Sequence, residues 1–196
     1  MRPRLAALLL VLGTLGLFVW RAELFTVSRP GDVPRPLVRS DSQPPRRFAV
    51  SLPVVPIGVA RLEPEGAPLL VHYWAPWERH SRAQILGLDS LMAGLPEGHV
   101  RVAVVCFDPF PSVARFVARA RVRTPVMLDL RRELQAHLPC PSLPYTWLIA
   151  GDGTVLVAQP GEVDWSAAAT RALLLEAGRD STRTVRTSPR SGSVAL

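Results

Sequence analysis

The alternation of apolar and polar positions divides the chain into four parts. Residues 5–20 carry no charged side chain, and a polar stretch with five prolines follows at residues 26–47. Residues 48–178 alternate between apolar runs and helical periodicities, whereas residues 179–196 are rich in Ser, Thr and Arg. This pattern predicts a membrane segment within residues 1–25, then a linker, one folded domain and a disordered tail.

The apolar run at residues 5–20 is predicted to be an uncleaved signal anchor. Signal peptidase requires small residues after the apolar region, whereas this run ends with Leu-Phe-Val-Trp. Its sixteen residues fall just below the about 17–25 that cross a bilayer, but Trp20 and the flanking arginines suit the two interfaces. Because Arg2 and Arg4 favour the cytoplasm, the rest of the chain is expected on the extracytoplasmic side. A cleaved signal peptide is the alternative.

Residues 26–47 are predicted to form an extended spacer between the membrane and the domain. Each proline fixes a backbone angle and removes a hydrogen-bond donor, and the neighbouring residues are mostly polar. We therefore expect a semi-stiff stretch that buries little surface.

The folded domain is predicted to be built around the apolar strand at residues 69–74. This strand lacks polar alternation apart from His72, so we expect it to be covered on both faces and His72 to be structural. Apolar spacing and cap residues predict the remaining elements. These are strands at 48–59, 100–107, 124–128 and on both sides of a turn at 151–153, and helices at 79–95, 112–121, 130–138 and 164–177, with N-caps at Ser112 and Asp129 and a C-cap at Gly178. The succession of strands and helices indicates an α/β fold.

Two short motifs carry a resemblance to a known family. The run Trp-Ala-Pro-Trp at residues 74–77 ends the central strand, and Leu-Pro-Tyr-Thr-Trp at residues 143–147 begins a later one. Residues 48–178 thereby resemble the TlpA/ResA-like, membrane-anchored thiol–disulfide oxidoreductases of the thioredoxin fold. That family has Trp-Ala-x-Trp-Cys-x-x-Cys at the first motif and a cis-proline at the second.

The resemblance implies a thioredoxin-like domain in which a central mixed sheet is flanked by helices. It also implies that Pro144 is cis and faces the redox positions. A binding groove is then expected at four residues of the two motifs, Trp74, Trp77, Leu143 and Pro144.

The two redox cysteines of the family are missing from this chain. Glu78 and Ser81 stand at their positions, with Arg79 and His80 between them. Disulfide exchange needs an attacking thiolate and a resolving thiol. The carboxylate of Glu78 can interact with the helix dipole, but neither it nor a hydroxyl can replace those thiols. We therefore predict a degenerate, redox-inactive member with no catalytic residue, no cofactor and no metal.

Cys106 and Cys140 are the only cysteines of the chain. Their separation matches no redox or metal-binding motif. An extracytoplasmic location permits one disulfide between them, and two buried free thiols are the alternative. The sequence leaves both open.

The charge distribution argues against nucleic-acid binding. The formal net charge is +7, yet residues 66–178 contain ten arginines and ten acidic residues, and the chain has no lysine. The excess lies outside this span and forms no basic stripe with interleaved aromatic residues.

The favoured function is a peptide- or protein-binding module of the cell envelope. It would be anchored in the cytoplasmic membrane and would bind an extracytoplasmic partner in the predicted groove. The main alternative is a thiol–disulfide oxidoreductase that uses Cys106 and Cys140, or the thiols of a partner. A structural companion in a cell-envelope assembly is a third possibility by analogy alone.

Overall fold

The computed structural model describes residues 26–27, 33–40 and 43–187. The predicted signal anchor at residues 5–20 lies outside these residues. Within the described part, no helix combines the length and the apolar character needed to cross a membrane.

The domain is an α/β structure with nine short strands and four helices among the described residues. The strands are β1 (Thr26–Val27), β2 (Val50–Val55), β3 (Val59–Leu62), β4 (Leu69–Trp74), β5 (Arg101–Cys106), β6 (Val126–Leu128), β7 (Ser142–Leu143), β8 (Tyr145–Ile149) and β9 (Val155–Pro160). The helices are α1 (Arg79–Ala93), α2 (Phe110–Ala120), α3 (Glu133–His137) and α4 (Ala168–Thr187).

Seven strands form one mixed sheet in the order β3-β2-β6-β5-β4-β8-β9. The central strand β4 is parallel to β5 and antiparallel to β8. All six of its residues are buried, as the lack of polar alternation predicted. Two β-α-β connections, through α1 and α2, carry the chain from β4 to β5 and on to β6. The predicted mixed sheet flanked by helices is confirmed.

The side chains of the sheet form two hydrophobic cores, one on each face. Leu70, Trp74 and Cys106 belong to the core that α1, α2 and α4 cover. Tyr73 belongs to the opposite core, which α3 covers. Alternation along β4 sends successive side chains to opposite faces, and burying one large apolar side chain contributes about 1.5–3 kcal/mol. Strand β4 therefore contributes buried side chains to both cores.

The proline-rich stretch differs from the spacer predicted at residues 26–47. Leu37 is only 5% exposed and lies in the core beneath α4. The Ser40 amide donates to the Leu156 carbonyl of β9 at 2.9 Å, and the Arg46 amide donates to Gly153 at 2.8 Å. These backbone donors thus bind β9 and the turn before it, so residues 33–40 pack on the domain.

The predicted end of the last helix at Gly178 is wrong. Helix α4 runs through this glycine to Thr187, into the predicted disordered tail, and residues 188–196 lie outside the described part. Gly178 is required there for close packing, because a Cβ atom would lie 2.2 Å from Cδ2 of His99. The imidazole Nε2 of His99 lies 3.2 Å from the Leu175 carbonyl oxygen of the same helix.

Neither of the two predicted residues is the N-cap of its helix. Helix α2 begins at Phe110 after Pro109, and the Ser112 hydroxyl donates to the Pro109 carbonyl instead of accepting from the helix. Ser112 is therefore not the N-cap. The N-cap of α3 is Arg132 and not Asp129, although the Asp129 carboxylate accepts from the Glu133 amide of the first turn at 2.7 Å.

Candidate functional site

The turn between β4 and α1 holds the positions that resemble the redox motif. Trp77 is 60% exposed, whereas Glu78 is 7% exposed. The Glu78 amide donates to the Ala75 carbonyl at 3.3 Å, which closes the turn before α1. A carboxylate thus stands where the resemblance expects the first cysteine. Ser81 lies in the first turn of α1, and its side chain is outside the described part.

Trp74 is not part of a binding surface. Its indole is fully buried in the core beneath α1 and α2, with 4.8 Å between its ring centroid and that of Phe116. The prediction that Trp74 lines the groove is therefore wrong, because both faces of β4 are covered and either orientation buries the side chain. Trp77, three residues later and beyond the strand, is the tryptophan that solvent reaches.

The second motif lies next to the end of the central strand. Tyr73 of β4 pairs with Tyr145 of β8, so one more step of this register places Pro144 beside Trp74. The Leu143–Pro144 peptide bond is cis, as the resemblance implied. The side chains of Leu143 and Pro144 are buried, so the backbone is what this loop offers to a ligand.

An extended segment already pairs with the cis-proline loop. Strand β1 runs parallel to β7, with Thr26 opposite Ser142 and Val27 opposite Leu143. The residues that precede Pro144 therefore act as a short acceptor edge for a β-strand. The sequence had placed Thr26 and Val27 in the spacer, because a two-residue strand leaves no readable periodicity.

His72 is a buried, neutral histidine beneath the turn. Its Nδ1 lies 3.0 Å from the Thr146 hydroxyl, and its ring makes an edge contact with Trp165 at 5.4 Å. Burial lowers the pKa of His72 from 6.5 to about 3. The imidazole is thus uncharged at neutral pH, in keeping with the predicted structural histidine.

Cys106 and Cys140 are free thiols on opposite faces of the sheet. Cys106 donates to the Asp108 carboxylate at 3.4 Å, and Cys140 donates to the Ser142 carbonyl at 3.1 Å. Burial raises the pKa of both thiols, that of Cys140 to about 12. Of the two alternatives that the sequence left open, the structure has the buried free thiols.

No group of three or more His, Cys, Asp or Glu residues in the described part could hold a metal ion. The described residues thus assemble a turn, an exposed tryptophan and a strand-accepting edge at one end of the sheet.

Comparison with models of known protein families gives no match, and neither does comparison with the sequences of curated proteins. Solved structures do match. One is from Chlorobium tepidum, assigned as the thiol:disulfide interchange protein DsbE, with a TM-score of 0.62, 20% identity, and coverage of 71% of this chain and 99% of that one. StoA from Bacillus subtilis matches with a TM-score of 0.58, 15% identity and coverage of 66% and 99%.

A secreted disulfide oxidoreductase from Mycobacterium tuberculosis, described as homologous to E. coli DsbE, also matches. Its TM-score is 0.51, with 17% identity and coverage of 67% of this chain and 95% of that one. The chain has the thioredoxin fold. The thioredoxin fold expected from the two sequence motifs is thus confirmed, and the turn at Trp77 and Glu78 lies where the motif placed it.

Proposed function

We propose that this protein is a redox-inactive thioredoxin-fold module that binds an extended peptide or protein segment in the cell envelope. The pairing of Thr26–Val27 with Ser142–Leu143 carries this proposal. It supports a site that recognises backbone, since a strand edge that accepts one extended segment binds it through main-chain hydrogen bonds. Trp77, which is 60% exposed, would add side-chain contact nearby.

The positions of the cysteines support the absence of redox activity. No cysteine lies in the turn after β4, and both thiols of the chain are buried with raised pKa values. Disulfide exchange requires an accessible thiolate, which burial disfavours. Similarity to disulfide oxidoreductases favours that activity as the second candidate, with Cys106 or Cys140 as the thiol, but the same burial weighs against it.

An extracytoplasmic location on the cytoplasmic membrane is part of the proposal. It rests on the apolar run at residues 5–20 and on Arg2 and Arg4 before it. The TlpA/ResA-like resemblance and the secreted M. tuberculosis protein of the same fold point the same way.

The test uses the chain's own segment as the probe. A synthetic peptide of residues 22–29 is titrated by calorimetry into the full chain in non-ionic detergent, and into a variant carrying Thr26→Pro and Val27→Pro. Proline removes the backbone donors of the internal strand and opens the edge. The peptide should bind the variant at least about tenfold more tightly than the wild type, because a tethered competitor acts at an effective concentration in the millimolar range.

A peptide that carries the same two prolines is the matched control and should not bind. Failure of the unmodified peptide to bind the variant would exclude the strand-accepting edge and with it this function. Reduction of insulin disulfides by the wild-type chain, abolished by Cys106→Ser with Cys140→Ser, would establish the second candidate instead.

A further inference from the structure

A basic cavity opens next to the exposed tryptophan of the proposed binding site. Its volume is about 400 Å³, and it lies between the β4–α1 turn and helix α2. The carboxyl ends of parallel strands are where α/β folds place ligands, and β4 and β5 both end here. Its principal lining side chains are Trp77, Arg82, Asp108, Arg115, Phe116 and Arg119.

Three arginines converge on this cavity and face one carboxylate. The guanidinium of Arg82 lies over the Phe116 ring at 5.3 Å, and Arg115 donates its Nε–H to the Pro111 carbonyl at 3.1 Å. These contacts fix the two side chains and leave the terminal amino groups of Arg115 available as donors. Arg119 follows Arg115 by one helical turn on the same face of α2.

The single carboxylate of Asp108 offsets only part of the positive charge that the three arginines bring to the cavity. Among the described residues, no carboxylate lies within ion-pair distance of Arg82, Arg115 or Arg119. Asp108 accepts from the buried thiol of Cys106 at 3.4 Å and pairs with none of the three. Residues 66–178 as a whole carry no net charge, so the excess of arginines is a property of this cavity and not of the whole domain.

We propose that this cavity binds acidic side chains of the peptide that occupies the neighbouring strand edge. The inference rests on the proposed peptide-binding function and gives its specificity. Guanidinium groups hold carboxylates through paired, charge-assisted hydrogen bonds. Pro144 lies beside Trp74 in the register of β4 and β8, and Trp77, three residues after Trp74, lines the cavity. The strand edge and the arginines therefore lie at the same end of the sheet.

The experiment compares two peptides that differ only in charge. A ten-residue peptide of alternating Val and Glu and its twin of alternating Val and Gln are titrated into the full chain carrying Thr26→Pro and Val27→Pro. The acidic peptide should bind about tenfold more tightly, and this preference should shrink as sodium chloride rises to about 0.5 M. In a variant with Arg115→Gln and Arg119→Gln, the two peptides should bind alike.

A charge-matched variant controls for the loss of two positive charges. Arg61→Gln with Arg131→Gln changes arginines whose side chains are 64% and 88% exposed and which do not line the cavity. It should keep the preference for the acidic peptide to within about twofold, since exposed distant charges are screened. Circular dichroism checks that both variants are folded.

The possible outcomes distinguish failure of the acidic specificity from failure of the proposed peptide binding. If the two peptides bind equally to the chain that carries only Thr26→Pro and Val27→Pro, the acidic specificity is overturned and peptide binding remains in place. An equal loss in both arginine variants would also overturn it. No binding of either peptide would overturn both. Inorganic phosphate that binds as tightly as the acidic peptide would make the cavity a site for free anions and overturn the peptide assignment.

Discussion

The backbone amide of Leu37 donates a hydrogen bond to the Thr170 hydroxyl at 3.1 Å, across 133 positions of the sequence. That hydroxyl donates in turn to the Asp164 carbonyl before α4, at 2.8 Å. The contact fastens the proline-rich stretch to the last helix. Residues around Leu37 are therefore part of the folding unit, although their composition is that of a linker.

Replacing Leu37 by Ala should destabilise the domain. Its side chain is 5% exposed, and truncation of a buried leucine costs about 2–5 kcal/mol, with the lower end expected near a surface segment. The free energy of unfolding in urea measures the loss. The neighbouring Val38→Ala is the control, since Val38 is 65% exposed and should change stability by less than about 0.5 kcal/mol. Equal effects would show that the stretch does not pack as described.

Acidification should destabilise the wild type more than a His72→Gln variant. The pKa of His72 is lowered to about 3 by burial, whereas that of the unfolded chain is near 6.5. Between these two pKa values the imidazole is protonated in the unfolded state but not in the folded state. The free energy of unfolding therefore falls as pH drops from 6.5 towards 3, by up to about 1.4 kcal/mol per pH unit. Urea unfolding at about pH 7.5 and pH 5 should reveal an extra loss of about 2 kcal/mol.

The exposed His137 supplies the control for this pH effect. A His137→Gln variant should keep the acid sensitivity of the wild type. If His72→Gln and the wild type lose the same stability on acidification, His72 is not held neutral in the folded state.

Gly178→Ala should lower the free energy of unfolding by about 1–2 kcal/mol. Alanine is the better helix former by about 1 kcal/mol, but its Cβ would lie 2.2 Å from the His99 ring. Combining it with His99→Ala removes the clash. In the double-mutant cycle the two changes should therefore couple by about 2–3 kcal/mol, and strict additivity would contradict the close contact.

Restoring both cysteines should restore disulfide exchange. In a Glu78→Cys, Ser81→Cys variant, the first thiol would stand at the start of α1, where the helix dipole lowers a thiol pKa. Insulin reduction with dithiol should exceed the wild-type rate by about tenfold or more. The same rate is expected after Cys106→Ser and Cys140→Ser are added. An inactive variant would mean that the turn has lost the geometry as well as the sulfur.

The sequence predicted the elements that have strong local signals. Leu69–Trp74 is apolar except for His72 and was placed to the residue, and the cis-proline loop followed from its motif. The packing of the proline-rich stretch around Leu37 and the helix end beyond Gly178 were missed for one physical reason. Both depend on partners far along the chain, Thr170 and His99, that local composition does not reveal.

The candidate site shows the same division. The motif located the turn, but it did not say which tryptophan faces solvent, because that depends on where β4 ends. The spacing of Arg115 and Arg119 by one helical turn was visible in the sequence. Their convergence with Arg82 could be recognised only once α1 and α2 were placed side by side.

The separation of the two cysteines by the sheet has a consequence for the chemistry around this protein. Neither cysteine sulfur reaches the surface, and the chain has no other thiol. On the function proposed above, a module built this way would bind partners that pass electrons through dithiols without exchanging electrons with them. The same proposal makes the protein a scaffold for such a partner and not an electron carrier.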